Sequence, residues 1–189
     1  MGHSTEHTIW PYISPAKETK DLLDSLLSSM DSDETSVGDT LADNIFAPNG
    51  VIKSAHGIFE GSKGKSLHRT ITGSARRHII RCGRDSRCWY TAEIRRCRDQ
   101  AWNLVTHRRH EVKRVYVHDS QVFDLLLIGS LEMLLKNGKR IRSEFTGRVL
   151  FTEIETKSLR ILLYQVWAVR DQQYSNITSL TFFFRILPL

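Results

Sequence analysis
The chain has 189 residues, 40% hydrophobic and 25% charged, with 4 prolines and 11 glycines, a composition that excludes a fibrous or disordered chain and points to one folded domain. No apolar stretch approaches the roughly 20 residues that a bilayer-spanning helix requires, and His3, Glu6, His7, Pro11 and Lys17 stand where a signal peptide has its apolar run. A cytoplasmic protein with no membrane partner is expected. The net charge is +6, and from Lys63 to Arg114 fifteen Lys or Arg face four acids, so one segment carries all of the basicity. Arg and aromatic residues alternate there (Arg76, Arg77, Trp89, Tyr90, Arg95, Arg96, Trp102), a mixture that can grip phosphates and stack on bases. The segment has no nucleic-acid-binding motif, however, and the rest of the chain is mildly acidic, so a solvated insertion is expected ahead of a nucleic-acid interface. Cys82, Cys88 and Cys97 are odd in number and lack C-x-x-C spacing, which predicts free thiols in a reducing compartment and no metal centre.

In chain order, Ser14 and Pro15 predict a helix start, and Leu22, Leu23, Leu26, Leu27 and Met30 then share one helical face. Asp31 to Thr35 reads as a polar break. Ser36 to Asp39 has capping-box spacing, with Leu41, Ala42, Ile45 and Phe46 as a second apolar stripe that ends at Pro48-Asn49-Gly50. Val51 to His56 predicts a short strand, and Gly57 to Gly64 a turn. A weak helical period follows over Ile94, Cys97, Ala101, Leu104 and Val105. Val112, Val115 and Val117 then open a strand-rich half. Asn137-Gly138 predicts a hairpin between strands near Phe123 to Leu135 and Arg140 to Ile154. The second of these alternates, with Ile141, Phe145, Gly147, Val149 and Phe151 on one face. The strand from Leu159 to Val169 looks buried on both faces, as though helices cover one side and a partner the other.

This order predicts an α+β fold with helices packed in a strongly curved antiparallel sheet. The segments Ile45-Phe46-Ala47-Pro48-Asn49-Gly50-Val51-Ile52, Gly57-Ile58-Phe59-Glu60-Gly61, Arg109-His110-Glu111-Val112, Asn137-Gly138-Lys139, Glu144-Phe145-Thr146-Gly147-Arg148 and Leu163-Tyr164-Gln165-Val166-Trp167 resemble the fungal SnoaL-like branch of the nuclear transport factor 2-like superfamily. The resemblance implies one domain over residues 16–170 with a conical, barrel-like pocket. It lapses over 66–93, a basic insertion, and over 171–189, an apolar tail.

What the resemblance implies for function is a cofactor-free cyclase, isomerase or dehydratase of secondary metabolism, acting on a small apolar carbonyl compound such as a polyketide or terpenoid intermediate. In an apolar cavity one general base removes a proton next to a carbonyl while a donor holds the enolate. His110, which matches a strand-opening histidine of this branch, and His56 are the expected catalytic residues. Ser54 stands where ketosteroid isomerase has its catalytic aspartate, and no tyrosine lies in the first helix, so steroid isomerisation is not expected. Tyr164, Phe145, Val149 and Ser54 are the expected substrate-binding residues. Gln165 and Trp167 then fall on the outer sheet face, where a homodimer interface is expected. A non-catalytic small-molecule-binding or scaffold protein of the same fold remains the alternative, since no complete catalytic set is visible.

Overall fold
In the computed structural model, which describes residues 4–54, 57–61, 91–98, 101–118, 121–152 and 158–168, the apolar stripe of the first segment forms helix α1, Lys17–Asp31, burying Thr19, Leu23, Leu26 and Leu27. Its N-cap is Ala16 and not Ser14, and no side chain caps it, so burial of the stripe rather than capping holds the helix. Helix α2 is a single turn, Val37–Thr40, that widens into a π-helical turn over Leu41–Ile45. Ser36 is itself in the helical region and makes no side-chain cap, so the capping box does not form. What holds α2 is contact. A Cβ on Gly38 would collide with the backbone carbonyl of Arg95, so α2 lies backbone to backbone against the 3-10 turn Ile94–Arg98. Arg95 bridges Asp39 and Asp43 across that contact.

The strands are β1 Phe46–Ser54, β2 Gly57–Glu60, β3 Thr91–Ala92, β4 Val105–Val117, β5 Asp124–Leu135, β6 Arg140–Phe151 and β7 Ile161–Ala168. They form one curved, unclosed sheet in the order β3-β2-β1-β7-β6-β5-β4. Several expectations change: β1 already begins at Phe46, within the segment read as a second helical stripe, and Gly57–Glu60, read as part of a turn, is strand β2. The sheet is mixed, not antiparallel, because β7 inserts between β6 and β1 and runs parallel to β1, while β2 and β3 are also parallel. The weak helical period after Ile94 yields only the 3-10 turn, since β4 already begins at Val105. Thr91 and Ala92, at the end of the basic segment, pair with Ile58 and Phe59; residues 62–90 and 169–189 lie outside the described residues.

The hairpin at Asn137-Gly138 forms as the sequence predicts, with Gly138 at φ +81°. The outer edge of β4 is covered over Val112 to Val115 by the chain's first described residues: the N–H of Val112 donates to Ser4 O at 2.9 Å, that of Val115 to Ile9 O at 3.1 Å, and that of Ile9 to Lys113 O at 3.0 Å. Asp24 of α1 anchors this strap by accepting the backbone N–H groups of Ser4 and Thr5 and the Thr5 hydroxyl. Such cover removes a free pairing edge.

Most buried apolar side chains among the described residues fall into two groups. The larger joins α1, α2, β1 and β4–β7 around Leu23, Leu27, Phe46, Val112, Leu127, Val149 and Tyr164. The smaller, Val105, Met133, Leu135 and Ile141 with Trp102 and Leu131 against it, lies at the hairpin end of β4–β6. Between them on the sheet lies a row with polar ends, His110 on β4 and Ser143 on β6, on either side of Leu131 on β5.

Candidate active site
Whether His110 faces inward depends on two irregularities in β4. The pairing with β5 shifts between Val105 and His107 and again between Val112 and Arg114. An extra residue at each shift changes which side chains face the core. Val105 is buried, then Arg108, His110 and Val112 turn inward, then Val115. Without the first bulge, a strand in phase with Val105 would turn His107 and Arg109 inward and His110 out.

His110 meets Asp31, the last residue of α1. Its Nδ1 lies 2.5 Å from Asp31 Oδ1, and its backbone N–H donates to Asp31 Oδ2 at 2.7 Å. Both side chains are buried, with 10% and 5% of their surface exposed. A carboxylate accepts hydrogen bonds, so this contact places a proton on Nδ1, and in the neutral imidazole the lone pair is then on Nε2. The Phe145 ring stands edge-on to the imidazole, centroids 5.6 Å apart at 81°. It reaches His110 from β6 by crossing β5 at Gly129, where a Cβ would come within 2.6 Å of the ring.

Tyr164 from β7 is fully enclosed. Burial first, and then the negative charge of Asp31, raise its phenol pKa well above the ordinary tyrosine value, so it stays protonated and able to donate. Arg108 acts in the opposite sense on that phenol, so the guanidinium, the phenol and the Asp31 carboxylate sense one another. Burial also lowers the pKa of Arg108, against the pull of Asp31 and Tyr164. Arg98 is pushed down to about 10, by burial and by repulsion from Arg108. Both guanidiniums lie over the Trp102 ring, at 5.6 Å for Arg98 and 5.3 Å for Arg108.

Of the residues singled out from sequence, the structure joins His110 and Phe145 directly and brings Tyr164 within electrostatic reach of the pair. Val149 is fully buried in the larger core beside Tyr164, its pairing partner on β7. Ser54 ends β1, four strands from β4 in the sheet order. His56 lies outside the described residues. Asp31, Arg98, Arg108 and Trp102 were not singled out as site residues. Asp31 had a signal: it falls eight residues after Leu23 and four after Leu27, where the buried stripe calls for an apolar side chain. Among the described residues, no three His, Cys, Asp or Glu side chains gather as a metal site would need, and no helix is long and apolar enough to cross a membrane.

Neither a protein-family model nor a curated protein matches the sequence. Solved structures do match in shape, and they define the chain as having the nuclear transport factor 2-like fold. One is a nuclear transport factor 2-like superfamily protein from Salmonella enterica, at 9% identity, covering 85% of this chain and 94% of its own, with a TM-score of 0.52. A hexachlorocyclohexane dehydrochlorinase, LinA type 2, superposes with a TM-score of 0.52 at 11% identity, over 81% of this chain and 84% of its own. A scytalone dehydratase-like protein from Novosphingobium aromaticivorans does so with a TM-score of 0.51 at 6% identity, over 82% and 83%.

Proposed function
We propose that this protein is a cofactor-free acid–base enzyme of the SnoaL-like type, a cyclase, isomerase or dehydratase acting on a small carbonyl intermediate of fungal polyketide or terpenoid metabolism. The observation that carries this is the buried His110–Asp31 pair, in which one carboxylate engages both the ring and the backbone of the histidine. Asp31 fixes the tautomer and offsets the positive charge that His110 gains when Nε2 removes a proton next to the carbonyl. The protonated Tyr164 phenol is the donor suited to the oxygen on which negative charge then develops. His110 returns the proton to a carbon, or to a departing hydroxyl, which separates isomerisation from dehydration. Two of the matching folds, the dehydrochlorinase and the scytalone dehydratase-like protein, have names that denote eliminations, in keeping with this chemistry. The same reading includes a homodimer through the outer face of the sheet.

The test is a thermal-shift screen of small apolar ketones, aldehydes and enones, followed by turnover of the compounds that stabilise the fold. His110→Gln and Asp31→Asn are expected to lower turnover by about 10²-fold or more while ligand affinity is kept. Unchanged turnover in His110→Gln would remove His110 from the mechanism. No stabilisation by any compound at near-millimolar concentration would count against a small carbonyl ligand.

A further inference from the structure
Five buried side-chain polar atoms lack a hydrogen-bond partner among the described residues: Arg98 Nε, Trp102 Nε1, Arg108 Nε, Ser143 Oγ and Ser4 Oγ. Buried polar groups are nearly always paired, so such a gathering asks for a partner. Ser4 belongs to the N-terminal strap. Ser143 and Arg108 stand in neighbouring rows across β4, β5 and β6, His110–Leu131–Ser143 and Arg108–Met133–Ile141, and Trp102 and Arg98 join them through the Trp102 ring that both guanidiniums overlie.

Among the described residues, two guanidinium charges there meet the one carboxylate charge that acts on them, that of Asp31. Arg98 gives one Nη–H to Ser32 O at 2.9 Å and Arg108 one to Ala101 O at 3.0 Å, both neutral carbonyls. The carboxylate nearest at hand, Asp31, has each of its oxygens engaged by His110. Two guanidiniums thus share one indole with no carboxylate hydrogen-bonded to either among the described residues, an arrangement that costs free energy until an anion arrives. All three residues keep part of their surface open to solvent, while their unpartnered Nε and Nε1 atoms lie just beneath it, so an anion engages those donors once the side chains shift. Trp102 also packs against the small cluster of Val105, Met133, Leu135 and Ile141, which gives the site an apolar wall beside its charges.

We propose that Arg98, Arg108 and Trp102 form a binding site for the carboxylate of a planar apolar molecule, held beside the His110–Asp31 pair. Arginine suits this anion because its Nε–H and Nη–H groups present two parallel donors, matching the two oxygens of a carboxylate. The Nε donors are the ones left unused. In the terms of the proposed function, the substrate carries an acid group, and the two arginines set which end of it faces Nε2 of His110. The inference rests on that reading for the role of the bound molecule, but the binding itself can be measured without turnover.

The experiment is calorimetric titration of the full chain with 2-naphthoate and with its neutral counterpart 2-naphthamide. Naphthoate is expected to bind about tenfold or more tightly than the amide, and more weakly as salt rises. Arg98→Gln and Arg108→Gln should each bring naphthoate down to the amide's affinity, whereas Arg108→Lys keeps part of the difference. Naphthoate affinity is read without turnover, and turnover in His110→Gln without naphthoate, so a failed acid–base mechanism and a failed anion site give different results. Equal affinity of the two ligands, no binding of naphthoate at millimolar concentration, or unchanged naphthoate affinity in both glutamine variants would overturn the proposal. Should the glutamine variants not fold, the wild-type contrast between acid and amide decides alone.

Discussion
An imidazole held through its ring and its own backbone N–H has little freedom to turn, and at His110 both holds come from a single carboxylate at the end of α1. The histidine was legible in the sequence as a candidate. Its partner was not, because Asp31 opens a run of polar residues that reads as a linker, and only its phase relative to Leu23 and Leu27 marks it as buried. Tyr164 offers a test by pH. Its folded pKa is raised above the ordinary value of 10.0, so the stability it contributes is fully present below that pH and is lost as pH rises through the folded pKa. Arg98, pushed down to about 10, works in the opposite sense over the same alkaline range, since the folded state releases its proton first. The difference between wild type and Tyr164→Phe isolates the phenol. Chemical denaturation at a series of pH values above 10 should show wild-type stability falling relative to the Phe variant; parallel curves would mean that the phenol is not held protonated.

At the level of elements, Gly129 joins the strands to the site. Gly129→Ala would drive a methyl into the Phe145 ring and the Glu111 carbonyl, so a loss of about 1–3 kcal/mol in denaturant unfolding is expected, with the ring displaced from His110. Gly138→Ala serves as the contrast. A Cβ there meets nothing within 4 Å, and only the positive φ opposes it, at a cost of about 1 kcal/mol. Equal losses at the two positions would show that the ring does not cross β5 at Gly129. The Asn137-Gly138 hairpin and the alternation of β6 could be read directly because turn chemistry and period 2 are local signals. The phase of β7 could not. Its pairing shifts where Leu150 faces Leu163 and Phe151 faces Ile161, so Ile161 and Tyr164 are both buried although three residues apart. Parallel pairing of β1 with β7 and the cover of β4 by the N-terminal strap are contacts between distant segments, which carry no period of their own.

For the whole molecule, the outer sheet face carries Tyr116, Leu126 and Trp167 at 43%, 39% and 45% exposure. Tyr116, Leu126, Arg148 and Gln165 align across four strands, with Trp167 two residues further along β7. Arg148 folds back onto Asp124, its Nη2 2.6 Å from Oδ2, so the charge in the middle of this row is already partnered. Large exposed apolar side chains gathered on one sheet face, at Tyr116, Leu126 and Trp167, favour self-association. Sedimentation at micromolar concentration should therefore give a dimer, which Leu126→Glu returns to a monomer of 21.8 kDa; a wild type that sediments as a monomer would refute the interface.

A core divided by a row with polar ends need not open all at once. The hairpin end, with Val105, Met133, Leu135 and Ile141, has its own small cluster, separate from the packing around α1. Local opening of that end costs less than global unfolding, so the amides of Met133, Leu135 and Ile141 should exchange with deuterium faster than those of Leu125, Leu127 and Val149. A ligand lodged in the row would act as the missing mortar between the two halves. Slower exchange at the hairpin end on ligand binding, with the amides near α1 unchanged, would then trace the molecule's weakest seam to the place where its chemistry is gathered.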